Sequence, residues 1–525
     1  MSATNKVKQV LVVGGGTSGW ISACYLAKHL GSKHSEAVQV TLIESEDIGI
    51  IGVGEGTFPT IRTTLKKLGI SETDFMRETT ASFKQAIKFV NWQHNPIQAE
   101  CDKQKNHYYH LFDVPKGAPY FDISPYWLQQ PNNKKITFDE FVSAQAASCE
   151  MNLSPKKITT KQFEGMNYAY HLDAVKFGQF LRKHGTSKLG IKHLVGTVKD
   201  VNINTDGFIQ SVSSIEHGEL EADLFIDCTG FKSLLLGEAL KVDFTSTEQY
   251  LFVDTAITMQ VPYPDENAPV ASHTISTAQE AGWTWDIGLK ERRGIGYVYS
   301  SKHTTHERAE EVLRDYVGSQ SNGLMARKIP MRTGYRNKQW HKNCVAIGLS
   351  AGFLEPLEST AIAMIELAAR YLCEEFPHNK SSFAAAEEKF NEVFIYRWKA
   401  IVDFVKLHYY LSERTDSQFW VDNVDPKSAP DSLLKKIEKW STSPPTSNDF
   451  SNIHDIFGLE SHQYILYGMG FKPDTESLKF TLLEGKQQAD LFLKQVENMK
   501  TKINKALPNH RDLLNSISKF DFPTL

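Results

Sequence analysis

Residues 7–30 read VKQVLVVGGGTSGWISACYLAKHL, an order of residue types with a definite structural meaning. A β-branched run ends in three glycines, and apolar residues then recur at helical spacing from Ile21 to Leu30, so strand, tight turn and helix follow one another. A second strand, VQVTLIESE, comes next at 38–46. Gly14, Gly16 and Gly19 supply the glycines of a GxGxxG turn and Glu44 ends the second strand, the pattern of an opening βαβ unit that binds a dinucleotide. In such a unit the pyrophosphate rests on backbone N–H groups at the helix start, here around Thr17 and Ser18. The fold class expected is therefore α/β with a Rossmann-like core.

The rest of the composition limits the partner. A chain of 525 residues with 41% apolar content can bury a large core and allows two or three domains. A net charge of -4 argues against a nucleic-acid surface and against an anionic membrane, which leaves a small molecule. The six cysteines (Cys24, Cys101, Cys149, Cys228, Cys344, Cys373) show no CxxC spacing, so they read as buried thiols in a reducing compartment, with neither a metal site nor a disulfide framework. A polar start, MSATNKVKQ, and the lack of a long apolar run predict a soluble cytoplasmic protein.

Further along, residues 95–165 are poor in periodicity and rich in Pro, Asn, Lys and aromatics, which suggests an insertion. Short strands return over 187–230, ending in Asp227-Cys228-Thr229-Gly230; another strand and turn lie in NCVAIGLSAGFLEPLEST, followed by a helix in AIAMIELAARYLCEEF. Beyond 380 the spacing is mostly helical, broken by a Pro/Ser/Thr loop at 441–449. The division expected is a catalytic domain over 1–380 and a helical capping module over 381–525.

Residues 82–92, SFKQAIKFVNW, read as one strand whose period of two puts Phe83, Ile87 and Phe89 on one face and Lys84 and Lys88 on the other. Taken alone, both lysines are solvated strand residues. Five stretches in order, GGGTSGW, IGVGEGTFPTI, SFKQAIKFVNW, GWTWDIGL and GFLEPLEST, resemble those of flavin-dependent tryptophan halogenases, and the likeness runs from about residue 8 to about 510. That resemblance implies FAD as the dinucleotide, with the reduced form supplied by a separate flavin reductase, and oxygen and a chloride or bromide ion consumed to make hypohalous acid. In the family this acid passes through a tunnel to a lysine beside an electron-rich aromatic such as an indole. Lys84 occupies that lysine's position, and an ammonium suits the task because it hydrogen-bonds or captures the electrophile.

The resemblance also implies that Glu358 orients the reagent or takes the ring proton, and that backbone N–H groups of Thr360 and Ala361 hold the halide. The plainer reading is that Glu358 and Ser359 cap the following helix. Two positions depart from the family pattern: Ala361 replaces a glycine, and Gly288 replaces the proline after Trp283, Trp285 and Ile287. The indoles would keep the substrate ring away from the flavin, and both also pack a strand. Gly52, Gly54, Glu55 and Thr57 lie in a loop that covers flavin in the family, and Gly348 in a later flavin turn. His110 and Phe112 align with residues flanking the substrate ring, a packing role being equally open.

No clamp for a zwitterion is visible in SNDFSNIHDIFGLESHQYILYGMGF, so indole or another neutral aromatic is favoured over free tryptophan. A homodimer is compatible with these features. The rivals are an aromatic monooxygenase, and a flavin-binding protein without turnover.

Overall fold

The computed structural model describes residues 5–46, 52, 54–102, 104–131 and 136–524. Ile51 and Val53 of the glycine loop, the first residues of the polar start, and residues 103 and 132–135 of the expected insertion lie outside this set. The chain forms two compact units, each assembled from three separate stretches. The first comprises 1–80, 172–247 and 332–399; the second comprises 81–171, 248–331 and 400–525. Residues 400–525 share the second unit with 81–171 and 248–331.

The first unit is built on a six-stranded sheet. Gln9–Val13 lies between Leu224–Asp227 and Gln39–Glu44, parallel to both, and Lys192–Val195 extends the sheet beyond Glu44. Leu11, Val13, Ile43, Phe225 and Ala346 close one face with Leu235 and Leu236. On the other side the helix Thr17–Leu30, buried along Trp20 to Ala27, packs with the helices Ala174–Lys188 and Thr360–Glu374. Gly31 ends the first helix in the left-handed region, φ 70°, where glycine carries no Cβ penalty.

The second unit carries a seven-stranded sheet with the order Arg327–Pro330, Thr255–Pro262, Arg292–Tyr299, Gly282–Gly288, Thr274–Gln279, Ala86–Val90 and His107–Leu111. Its only parallel pairing joins Thr274–Gln279 to Ala86–Val90. The described residues of 95–165 include short helices and the edge strand His107–Leu111, so part of the expected insertion belongs to this sheet.

Residues 82–92 do not form one strand. Ser82–Lys84 pairs with Ala169–His171, whereas Ala86–Val90 pairs with two other strands. At the break, the N–H of Gln85 donates to the Ser272 carbonyl at 2.8 Å and its own carbonyl accepts from Phe112 N–H at 3.0 Å. A single alternation of faces therefore does not run through the stretch. Lys88 is a half-buried structural lysine paired with Glu150 at 2.9 Å, whereas Lys84 is 0% exposed. Five cysteines are buried as expected, but Cys101, in the short helix Pro96–Cys101, is exposed; all six are free thiols. Among the described residues no helix is long and apolar enough to cross a membrane, and no His/Cys/Asp/Glu group could hold a metal ion.

Candidate active site

In the first unit each glycine of the turn has its own reason. Gly14 adopts φ 108°, and a side chain there would strike the Cys228 carbonyl. A methyl on Gly19 would collide with the Gly14 carbonyl, so this glycine lets helix and strand approach. Gly16 is different: a Cβ there meets nothing within 4 Å, which is what a backbone cradle for a pyrophosphate requires. Gly16 caps the helix in an extended conformation with no side-chain capping bond, leaving the first-turn N–H groups of Thr17, Ser18 and Gly19 for an anion.

Glu44 sits beside this cradle, its carboxylate against Gly15 and 2.8 Å from His193 Nε2. Gly348, φ 81°, lies so close to the helix start that a side chain would come within 2.6 Å of Ser18 Cβ. Asp227, at the end of its strand, accepts from the N–H groups of Thr229, Leu235 and Leu236 at 3.0, 3.0 and 2.8 Å and fixes the turn after it. These residues fit FAD.

The loop beyond Glu44 is described from Gly54 onward and at Gly52. Gly54 has φ 138°, a conformation reserved for glycine, and Thr57 is buried. Desolvation, with the Asp173 carboxylate nearby, pushes Glu55 up to about 7. Thr60 and Thr64, which follow, both donate to Glu366 of the helix Thr360–Glu374, and Tyr25 Oη lies 2.7 Å from Thr64 Oγ1. Burial pushes Glu366 up to about 7. This carboxyl ties the helix Ile61–Leu68, which follows the glycine loop, to the helix Thr360–Glu374, and was not singled out from the sequence.

At the start of that helix, Glu358 (φ 66°, ψ 5°) and Ser359 (φ 55°, ψ 37°) are consecutive left-handed residues that are not glycine. Each such residue costs on the order of 1–3 kcal/mol, and strain of this kind clusters at functional sites. Ser359 makes no side-chain capping bond, so the expected cap is not formed: a left-handed N-cap turns the hydroxyl away from the N2 and N3 donors. Thr360 and Ala361 therefore present helix-start N–H groups, with Glu358 buried beside them and Glu355 buried one turn earlier.

In the second unit, the buried Lys84 ammonium lies 5.2 Å from the centroid of the Phe112 ring. His110, buried on the neighbouring edge strand, has Phe404, Phe457 and Tyr464 around it at ring distances of 6.0, 6.4 and 5.9 Å. Phe404 and Phe457 stack at 3.9 Å. Phe112 follows His110 by two residues; around His110, Phe404 and Tyr464 come from helices and Phe457 from the segment just before the helix Leu459–Gly468. Trp283 and Trp285 are buried on Gly282–Gly288, 6.3 Å apart and edge to face, so their strand-packing role is realised. Gly288 accepts from Ser82 Oγ at 2.5 Å, two residues before Lys84.

Sequence reasoning missed the histidines here. His171 is fully buried with Nε2 2.8 Å from Thr274 Oγ1, and burial, then the Lys84 charge, hold it well below the usual imidazole range. His510 contacts the lysine strand from the far end of the chain. Nothing local in the sequence marks either.

A mostly parallel sheet with a glycine cradle of this kind makes the first unit a dinucleotide-binding domain. The family model for tryptophan halogenase matches residues 9–481. The chain is 36% identical to tryptophan 6-halogenase SttH of Streptomyces toxytricini, covering 89% of this chain and 90% of that protein. It is 32% identical to tryptophan 7-halogenase RebH of Lentzea aerocolonigenes, covering 97% and 99%. The crystal structure of a tryptophan halogenase from Shewanella frigidimarina NCIMB 400 superposes with a TM-score of 0.93 at 41% identity, covering 99% of each chain. The chain belongs to the tryptophan halogenase family. It is a flavin-dependent halogenase, an oxidoreductase that uses FAD and a halide and acts on an aromatic substrate.

Proposed function

We propose that Lys84 delivers hypohalous acid to an electron-rich ring held by His110 and Phe112, and that Glu358 takes the ring proton. The observation that carries this reading is the complete burial of the Lys84 ammonium beside the Phe112 ring, where an electrophile bound to it is kept from bulk water. Reduced FAD, when bound, supplies the electrons that, with oxygen, turn the halide into hypohalous acid.

Gly14, Gly16, Thr17, Ser18, Gly19, Glu44, Gly54, Glu55 and Gly348 hold the cofactor in this account: the turn N–H groups take the pyrophosphate and Glu44 the ribose hydroxyls. Thr360 and Ala361 N–H groups bind the halide at the helix start, where the positive end of the dipole favours an anion. The Lys84 N–H groups donate to the hypohalous oxygen and polarise the O–X bond. The ring carbon forms its bond to halogen as the O–X bond breaks, the departing hydroxide takes a proton from the Lys84 ammonium and leaves as water, and Glu358 accepts the ring proton that restores aromaticity, solvent exchange then returning a proton to Lys84.

Reduced flavin comes from a separate reductase, and the protein works in a reducing, cytoplasmic compartment, supported by its six free thiols. The preferred ring is indole or another neutral aromatic, with residues 381–525 as its cap. The test supplies FAD, a reductase with reduced nicotinamide, and chloride or bromide, and compares indole with L-tryptophan by mass spectrometry. Halogenated indole formed faster than halogenated tryptophan supports the reading. Faster turnover of tryptophan overturns the substrate preference, and a hydroxylated product overturns the mechanism in favour of a monooxygenase.

A further inference from the structure

We propose that His510 is a positioning residue for Lys84, holding the lysine strand in place through the backbone N–H of Phe83; the inference rests on the reading of Lys84 given above. Phe83 immediately precedes Lys84, and its N–H donates to His510 Nε2 at 3.0 Å across 427 positions of sequence. The other ring nitrogen, Nδ1, lies 3.1 Å from the Val270 carbonyl. One tautomer satisfies both contacts: Nδ1 carries the hydrogen and donates to Val270, and Nε2 keeps its lone pair for Phe83. Burial lowers His510 to about 4, so this neutral form persists at working pH.

The imidazole is itself held rigidly. His510 opens the helix His510–Ile517, its N–H donates to the Asn152 carbonyl at 2.9 Å, and Asn509 caps the helix by accepting from Arg511 N–H at 3.0 Å. Arg511 donates to the carbonyls of Ala268 and Lys290 at 2.8 and 2.6 Å. Ser82 is fixed to Gly288, and Phe83 is packed against Tyr168 and Phe522 at ring distances of 5.1 and 6.4 Å.

The strand Ser82–Lys84 is only three residues long and ends at the break at Gln85, so it has few ladder bonds of its own to set where the lysine projects. An acceptor at Phe83 supplies that constraint one residue from the functional group. A protonated His510 would lose the acceptor and set a second positive charge near Lys84, which is why a buried, neutral imidazole suits the position better than a lysine or arginine donor.

The test uses the full-length protein with FAD, reductase and indole, and compares His510→Leu, His510→Gln and Lys84→Ala with the parent. Two quantities are read: halogenated product per reduced flavin consumed, and hypohalous acid escaping to a 1,3-diketone trap in solution. His510→Leu should cut product per flavin about tenfold or more while trapped hypohalous acid rises, because a small misplacement of a reacting group carries a cost of this size. His510→Gln, whose amide offers both an acceptor and a donor, should restore most of the coupling. A purely structural role would lower product and trapped acid together.

Should His510→Leu not fold, His510→Asn, too short to reach Phe83 N–H, takes its place and must uncouple in the same way. Parent-like coupling in either folded variant, with Lys84→Ala inactive, overturns the role of His510 alone. Retained halogenation by Lys84→Ala overturns the reading of Lys84 and this inference with it.

Discussion

Replacing Gly16 with valine separates the cofactor cradle from the fold. A Cβ at this position meets nothing within 4 Å, and the backbone (φ -70°, ψ -174°) is extended, a region β-branched residues adopt readily. Gly16 also contributes no side-chain cap that valine would remove. The fold should therefore be unaffected, while the isopropyl group fills the space where the pyrophosphate approaches the turn. Displacing the phosphate from two of the N–H groups at Thr17, Ser18 and Gly19 loses charge-assisted bonds worth about 1.5–3 kcal/mol each. The total, about 4 kcal/mol, raises the dissociation constant of FAD about a thousandfold. Flavin fluorescence during titration of the apoprotein measures this, with thermal unfolding of the apoprotein as the control. Gly19→Ala makes the contrast: its methyl strikes the Gly14 carbonyl, so the fold itself should be destabilised. FAD binding to Gly16→Val within about threefold of the parent would mean the cofactor does not rest on this turn.

Ala361→Gly should lower the halide concentration needed for half-maximal rate, most clearly for chloride, if the helix-start N–H groups hold the ion; unchanged chloride and bromide dependence would displace the halide from this position. Glu366, raised to about 7 by burial, keeps its proton in the folded state when the unfolded chain has already lost it, so stability is full below about 4.5 and declines as pH rises to about 7. Glu366→Gln should flatten that decline and gain at most about 3 kcal/mol over the parent at pH 8, read from denaturant midpoints across pH. His273, His462 and His510 are lowered by burial to about 3, 3 and 4, so their contribution is complete above about 6.5 and is lost as pH falls toward 4. Acid unfolding should therefore be steep in that window, and its midpoint in His462→Gln should move to lower pH.

The cradle was legible because its constraints are local: φ above zero at Gly14, and close approach at Gly19, follow from stereochemistry within a dozen residues. The burial of Lys84 was not, because it depends on the break at Gln85, whose partners Ser272 and Phe112 are set by pairings distant in sequence. For the same reason the two interleaved units escaped a reading made along the chain: the strand Ala86–Val90 finds its parallel neighbour at Thr274–Gln279. Ser359 looked like a cap because a serine before an apolar helix usually is one; here the chain turns left-handed at Glu358 and Ser359. His110 and Phe112 were placed by resemblance, while Phe404, Phe457 and Tyr464, more than 290 positions further along the chain, come beside His110 without a local signal.

Delivery of the electrophile by Lys84 is measured with Lys84→Ala in the complete system of FAD, reductase, halide and indole, with product and trapped hypohalous acid read together. FAD affinity should be undiminished, hypohalous acid should still be recovered in the trap, and no halogenated indole should form. Halogenated indole formed at the parent's rate by the Lys84→Ala protein would contradict delivery by Lys84.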